Sequence, residues 1–243
     1  MTRSLVFGVV LVLLLGLLIH PATLEQLLRW ILADPSADIY PLISPVNLLA
    51  DHLVLVIGSS ALCTLLGFSA GVLTFFSGFE GTRRVISFSG TILQTVPPMA
   101  FLALLIPVLG FGTLPVFWAL VAFGVLPIFH GTLASLESVP KDVISAARGL
   151  GYSRDQIFRQ VEVPLASSGI LGGIRTSLLI NIGTATIGAT MGAGGLGRPI
   201  LAGITQFQYS YLLQGALTAA LLALLADWLF TFFKPKRLWQ SDS

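Results

Sequence analysis

Six stretches of this chain, near residues 4–20, 52–76, 87–109, 115–134, 166–190 and 210–233, are apolar over lengths that can cross hydrocarbon. A bilayer core about 30 Å thick needs about 20 such residues as helix, since each residue advances the helix about 1.5 Å. Lipid offers no partner to backbone N–H and C=O groups, so each run must satisfy its own as a helix. The expected fold class is therefore all-α, an integral membrane protein with about six transmembrane helices. Composition agrees: 55% hydrophobic and 10% charged residues leave too little polar surface for a water-soluble domain.

The placement of Lys and Arg gives an orientation. With the N-terminus in the cytoplasm, Arg3, Arg83, Arg84, Lys141, Arg148, Arg154, Arg159, Lys234, Lys236 and Arg237 lie inside, and only Arg29 and Arg198 lie outside. This asymmetry follows the positive-inside rule, so both termini are expected in the cytoplasm. A net charge of +2 gives no electrostatic support for nucleic-acid binding. Arg3 and the apolar run after it have the pattern of a signal peptide, but His20, Pro21, Thr23 and Glu25 make a poor cleavage site. An uncleaved signal-anchor helix is the expectation. Residues 21–51 read as a short helix over "TLEQLLRWIL" and a turn-prone external cap. The chain thus divides into 1–50 (anchor and external segment), 51–233 (the membrane domain) and 234–243 (a cytoplasmic tail).

Two runs contain helix breakers or small residues. Pro97 and Pro98 sit within the third, where proline removes donors and kinks the helix unless protein or water satisfies the freed carbonyls. The fifth, "GILGGIRTSLLINIGTATIGATMGAGGLG", is rich in Gly, Ala, Ser and Thr, which let backbones approach closely, and is expected to be central. Packing and the lining of a transport path are both open readings of these features.

The loop between the fourth and fifth runs concentrates charge, with Arg148, Arg154, Asp155, Arg159 and Glu162 inside "SAARGLGYSRDQIFRQVEVP". Val143, Ala147 and Leu150 share one face of a first short helix. Gly151 stops it, because the residue after a helix often needs a left-handed backbone. Ser153 with Gln156 gives a capping-box pattern for a second helix, in which Ile157 and Val161 form the apolar stripe, and Pro164 is expected to end it. Such an amphipathic pair can lie on anionic lipid or fit a groove on a cytoplasmic partner.

The order Ala146, Ala147, three residues, Gly151, nine residues, Val161, one residue, Val163, Pro164 resembles the "EAA" loop of ABC importer permeases. That pattern reads Glu-Ala-Ala, three residues, Gly, nine residues, Ile, one residue, Leu-Pro. Ser145 replaces the Glu, and Val161 and Val163 replace Ile and Leu. Over about residues 50–233, "QTVPPMAFLALLIPVLGFG", "GVLPIFHGTL" and the fifth run are similar to permeases of osmoprotectant importers. The resemblance implies the type I, methionine-importer-like permease fold in a bacterial inner membrane. It also implies a cytoplasmic ABC ATPase carrying ATP and Mg, a second permease (the same or a homologous chain), and an extracytoplasmic solute-binding protein. The cargo would be glycine betaine, choline or a related compound, with an amino acid, methionine or another small polar nutrient as the alternative. Ser145, Ala146, Ala147, Arg148, Gly151, Arg154, Arg159, Val161 and Pro164 would form the ATPase-coupling loop, the arginines being free to pair with acidic groups of the ATPase.

No G-x-x-x-x-G-K-[ST] phosphate loop occurs, so no cofactor or catalysis is expected on this chain and ATP hydrolysis must come from a partner. Arg175 and Asp227 are costly within spans unless paired or wetted, and both fall at a similar depth, where a structural ion pair is expected. Gln94, Pro97, Pro98, Asn181 and Thr184, with Arg175 and Asp227, are candidates for a translocation path or gate. Interhelical hydrogen bonding is the plainer role for Asn181, Thr184 and Gln214. Cys63 is expected as a small buried hydrophobe. His20, His52 and His130 lie near span ends without metal-ligand spacing and are expected at the interface. A non-transporting membrane adaptor and a proton-coupled carrier are the rival classes; the scarcity of intramembrane acids other than Asp227 weighs against the second.

Overall fold

The computed structural model describes residues 20–78 and 95–232, together with positions 8, 9, 11, 16 and 81. The expected anchor helix, the start of the third run with Gln94, and the tail at 234–243 lie outside the described residues.

The described chain is helical, in the order α1 (Pro21–Leu32), α2 (Pro45–Ser77), α3 (Pro98–Leu109), α4 (Thr113–Glu137), α5 (Lys141–Gly149), α6 (Arg154–Met191), α7 (Gly197–Gln206) and α8 (Tyr209–Phe232). Four of these, α2, α4, α6 and α8, are long and apolar enough to cross a membrane; α3 is apolar but shorter. The second expected span begins earlier than its hydropathy suggests, because Ser44 caps it by accepting from the Asn47 N–H at 3.3 Å and Pro45 occupies the first turn, where its missing donor is harmless.

Three helices form the centre. α4 is the most buried of the spans and packs between α2 and α6, while α8 closes on α6 and α7. The approach of α4 and α6 depends on glycine: a β-carbon at Gly173 would stand 2.6 Å from the Pro127 carbonyl oxygen. The small-residue run thus works as expected in α6, but against a more central α4. Val116, Ala119 and Leu120 from α4, Ile182 and Ala185 from α6, Leu55 and Val56 from α2, and Leu222 from α8 share one apolar core. α1 lies on α8 through Leu24 and Leu28, and the link that follows it is pinned where the Tyr40 N–H donates to Gln214 Oε1 at 2.8 Å.

Two expectations change, and one further helix appears. Pro97 and Pro98 break the third run rather than kink it: Pro97 is extended (φ −57°, ψ 135°) and α3 starts at Pro98. The stretch 191–209 contains the ten-residue helix α7, whose pattern is too short to stand out beside the spans. Pro164 does not end the second loop helix. The chain stays helical from Arg154 to Met191, and Phe158–Glu162 is wound as a π-helix in which the Val163 N–H donates to the Phe158 carbonyl. Wider winding just before a proline relieves the clash its ring would make with the carbonyl four residues back.

Candidate functional site

The loop between α4 and α6 forms a compact helix–turn–helix. α5 starts where the Pro140 carbonyl accepts from the Val143 and Ile144 N–H groups, and it ends in a Schellman turn. There the Gly151 N–H donates to Arg148 O at 2.9 Å and the Tyr152 N–H to Ala147 O at 3.1 Å. Gly151 has φ +84°, the left-handed region the sequence pattern required, and a β-carbon there would meet nothing within 4 Å. Its requirement is therefore one of backbone conformation. Ser153 then caps α6 in the expected reciprocal box with Gln156, one bond running from Ser153 N–H to Gln156 Oε1 at 2.8 Å.

Burial separates the face turned inward from the face left open. Ala147 and Ile157 are buried, Ser145, Ala146 and Arg148 are exposed, and Leu150 is 78% exposed. The spacing placed Leu150 with Val143 and Ala147 on the apolar face; it instead protrudes from the turn, as the capping residue just past the end of α5.

The arginines also sort themselves. Arg159 pairs along its own helix with Asp155 at 3.1 Å, both exposed. Arg148 makes no ion pair among the described residues. Arg154 turns inward and pairs with Glu162 at 2.5 Å, and Glu162 is only 2% exposed. The Arg154 guanidinium lies over the rings of Phe75 and Phe76, 5.6 and 4.9 Å from their centroids, and Phe76 packs edge-on to Phe158 at 4.8 Å. Arg154 therefore joins the start of α6 to the end of α2, and its charge is already satisfied within the chain. The π-winding contributes by turning Glu162 toward this junction. Sequence reasoning missed the role of Glu162, Phe75 and Phe76, since nothing in their spacing couples residues 75–76 to 154 and 162. Val161 lies within the π-wound turn of the junction, and Pro164 continues α6 beyond it.

The intramembrane candidates divide between a paired charge and a buried network. Arg175 Nε donates to Asp227 Oδ1 at 2.5 Å, joining α6 to α8 as expected, with both side chains about a third exposed. Asn181 is fully buried between α2 and α6, where its Nδ2 donates to Ser60 Oγ at 3.0 Å and reaches Ser59 Oγ at 3.4 Å. Thr184 is buried one turn further on, and Cys63 is buried beside the same network. Asn181 and Cys63 thus make interhelical polar contacts. His52 departs from expectation: it is 1% exposed, not interfacial. Pro97 and Pro98 stand at the start of α3, which is tied to the end of α6 by Thr190 Oγ1 on Met99 Sδ at 3.7 Å.

Comparison with known proteins places this arrangement. The model of the family described as binding-protein-dependent transport system inner membrane component matches residues 63–239. The chain is 35% identical over 231 residues to the "Osmoprotectant import permease protein OsmY" of Salmonella typhimurium strain LT2, covering 95% of this chain and 93% of that protein. It is also 35% identical over 157 residues to the "Glycine betaine/carnitine/choline transport system permease protein OpuCB" of Bacillus subtilis strain 168, covering 65% and 72% of the two. Among solved structures, a chain of the MetNI methionine ABC transporter in an inward-facing conformation superposes with a TM-score of 0.67 at 21% identity, covering 77% of this chain and 93% of that one. That likeness concerns the fold.

Proposed function

The chain belongs to the family of inner membrane components of binding-protein-dependent transport systems, and on that premise we propose that it is a permease of an ATP-driven importer for an osmoprotectant such as glycine betaine or choline. Members of this family are membrane-embedded transport subunits of ABC systems, not enzymes. ATP and Mg would be bound by an ATPase subunit, a solute-binding protein would deliver cargo from outside, and a second permease, identical or homologous, would complete the path. Both chain termini and the α5–α6 turn face the cytoplasm in this reading.

The observation that carries it is the form of the α4–α6 loop. Its outer surface presents Ser145, Ala146, Arg148 and Leu150, while its inner surface is locked to α2 through Arg154, Glu162, Phe75 and Phe76. A helix pair held only by its turn would absorb a partner's movement; one fastened to two spans passes it on. Closing of the ATPase pair on ATP would push α5, and the junction would tilt α2 and α6 together. The cargo class is supported by the names of relatives that match most of the chain. Uptake of another small polar nutrient, an amino acid or methionine, is the second reading.

The test is reconstitution of this permease with its ATPase and binding protein in liposomes. Radiolabelled glycine betaine or choline should accumulate only when ATP is supplied on the side of the α5–α6 turn. Accumulation of an amino acid but neither osmoprotectant would replace the cargo assignment.

A further inference from the structure

At the end of the bundle opposite the α5–α6 turn, three segments that are distant in sequence enclose an open cleft of about 580 Å³. Its walls are the start of α2 (Asp51, Leu55, Gly58), the start of α4 (Thr113, Phe117) and the turn before α7, with Arg198 on α7 itself. This volume suits a small ligand. The chemistry of the wall is uneven: one carboxylate, one guanidinium, one aromatic ring and otherwise small or apolar surface.

The two charges are held near each other without meeting. A β-carbon placed at Gly194, on the turn between them, would stand 3.5 Å from Arg198 Nε and 3.7 Å from Asp51 Oδ2. Yet Asp51 and Arg198 form no ion pair with each other or with any other described residue. Other charges at this end are already occupied. Glu25 pairs with Arg29, and Asp34 accepts from both the backbone and the side chain of Ser36, which lowers its pKa below the usual carboxylate value. An opposite pair left open across a small cleft is complementary to a solute that carries both charges itself.

We propose that this cleft is a contact site for a small zwitterion with a quaternary ammonium and a carboxylate, taken up as cargo enters the permease from outside. The inference rests on the osmoprotectant reading above and deepens it. Arg198 meets the carboxylate, for which the guanidinium fork supplies two parallel donors. Asp51 and the half-buried ring of Phe117 meet the ammonium, which has no N–H to donate and is attracted only by charge and by the face of a π-system. The outer end of the permease would then discriminate among solutes.

The experiment compares two solutes in liposomes containing the full complex with its ATPase and binding protein. Glycine betaine carries both charges, and choline carries only the ammonium. For Arg198→Gln, uptake of glycine betaine should fall at least tenfold relative to uptake of choline. For Asp51→Asn, uptake of both should fall. An equal loss of both solutes in Arg198→Gln would overturn the assignment and point to a surface that docks the binding protein. Unchanged uptake in both variants would sink the cleft alone. Failure of the wild-type complex to carry either solute would remove the osmoprotectant reading, and the cleft assignment with it.

Discussion

Arg154→Ala removes the positive charge that, among the described residues, pairs with the buried Glu162 carboxylate, and with it the guanidinium's contact with α2. Breaking a fully buried ion pair costs about 3–5 kcal/mol, mostly for the charge left behind. Glu162 is 2% exposed but the Arg154 side chain is 45% exposed, so solvent screens part of the pair and the lower end applies. Each ring under the guanidinium adds about 0.5–1 kcal/mol at a partly exposed site. The total, about 4 kcal/mol, shifts the balance between a fastened and a loose junction roughly a thousandfold. The assay is the number of ATP molecules hydrolysed per solute transported by the reconstituted complex. Arg154→Ala should raise that ratio steeply while the protein still inserts and binds its ATPase. Arg154→Lys keeps the charge but loses the planar fork and the stacking, so its ratio should fall between the two. Adding Glu162→Gln to Arg154→Ala removes the stranded carboxylate and should recover much of the lost thermal stability but not the coupling, giving a non-additive cycle in Tm. An Arg154→Ala complex with an unaltered ratio would refute the reasoning.

Other positions give simpler expectations. Gly151→Val forces a β-branched residue to φ +84°, where even an ordinary side chain costs about 1–2 kcal/mol; since nothing crowds the position, the loss should appear as ATP hydrolysis without uptake in a normally inserted protein. Leu150→Glu places a charge on the most protruding apolar residue of the turn and should weaken recovery of the ATPase with the tagged permease at least tenfold, leaving the thermal midpoint of the isolated permease unchanged. Gly173→Ala drives a β-carbon to 2.6 Å from the Pro127 carbonyl, an overpacking cost of about 1–3 kcal/mol, and should lower the Tm in detergent by several degrees.

The sequence showed most where a local rule decides the structure. Hydropathy found α2, α4, α6 and α8, the φ of Gly151 followed from a helix stop in a short loop, and the Ser153–Gln156 box followed from its spacing. The Arg175–Asp227 pair was legible because lipid leaves few alternatives to a charge within a span. What escaped was set by tertiary contact. The π-winding of Phe158–Glu162 lets the helix continue through Pro164, and the packing of Phe158 against Phe76 of α2 accompanies it. Arg154, read as one of three arginines open to a partner, pairs inside the chain, while Arg148 and Leu150 stay exposed at the turn. α7 and the burial of His52 were likewise hidden, because a ten-residue helix and a histidine near a span end carry no periodic signal.

The central claim is that this chain has no energy source of its own and is moved through its α5–α6 turn by an ATPase. The most direct measurement is affinity purification of the tagged chain from its native membranes in mild detergent, with every stoichiometric partner identified by mass spectrometry. Recovery of a subunit carrying a Walker phosphate loop, lost when Leu150 is replaced by Glu, is the result expected. Repeated recovery of this chain without any such ATPase, under conditions that keep a control ABC complex intact, would contradict it.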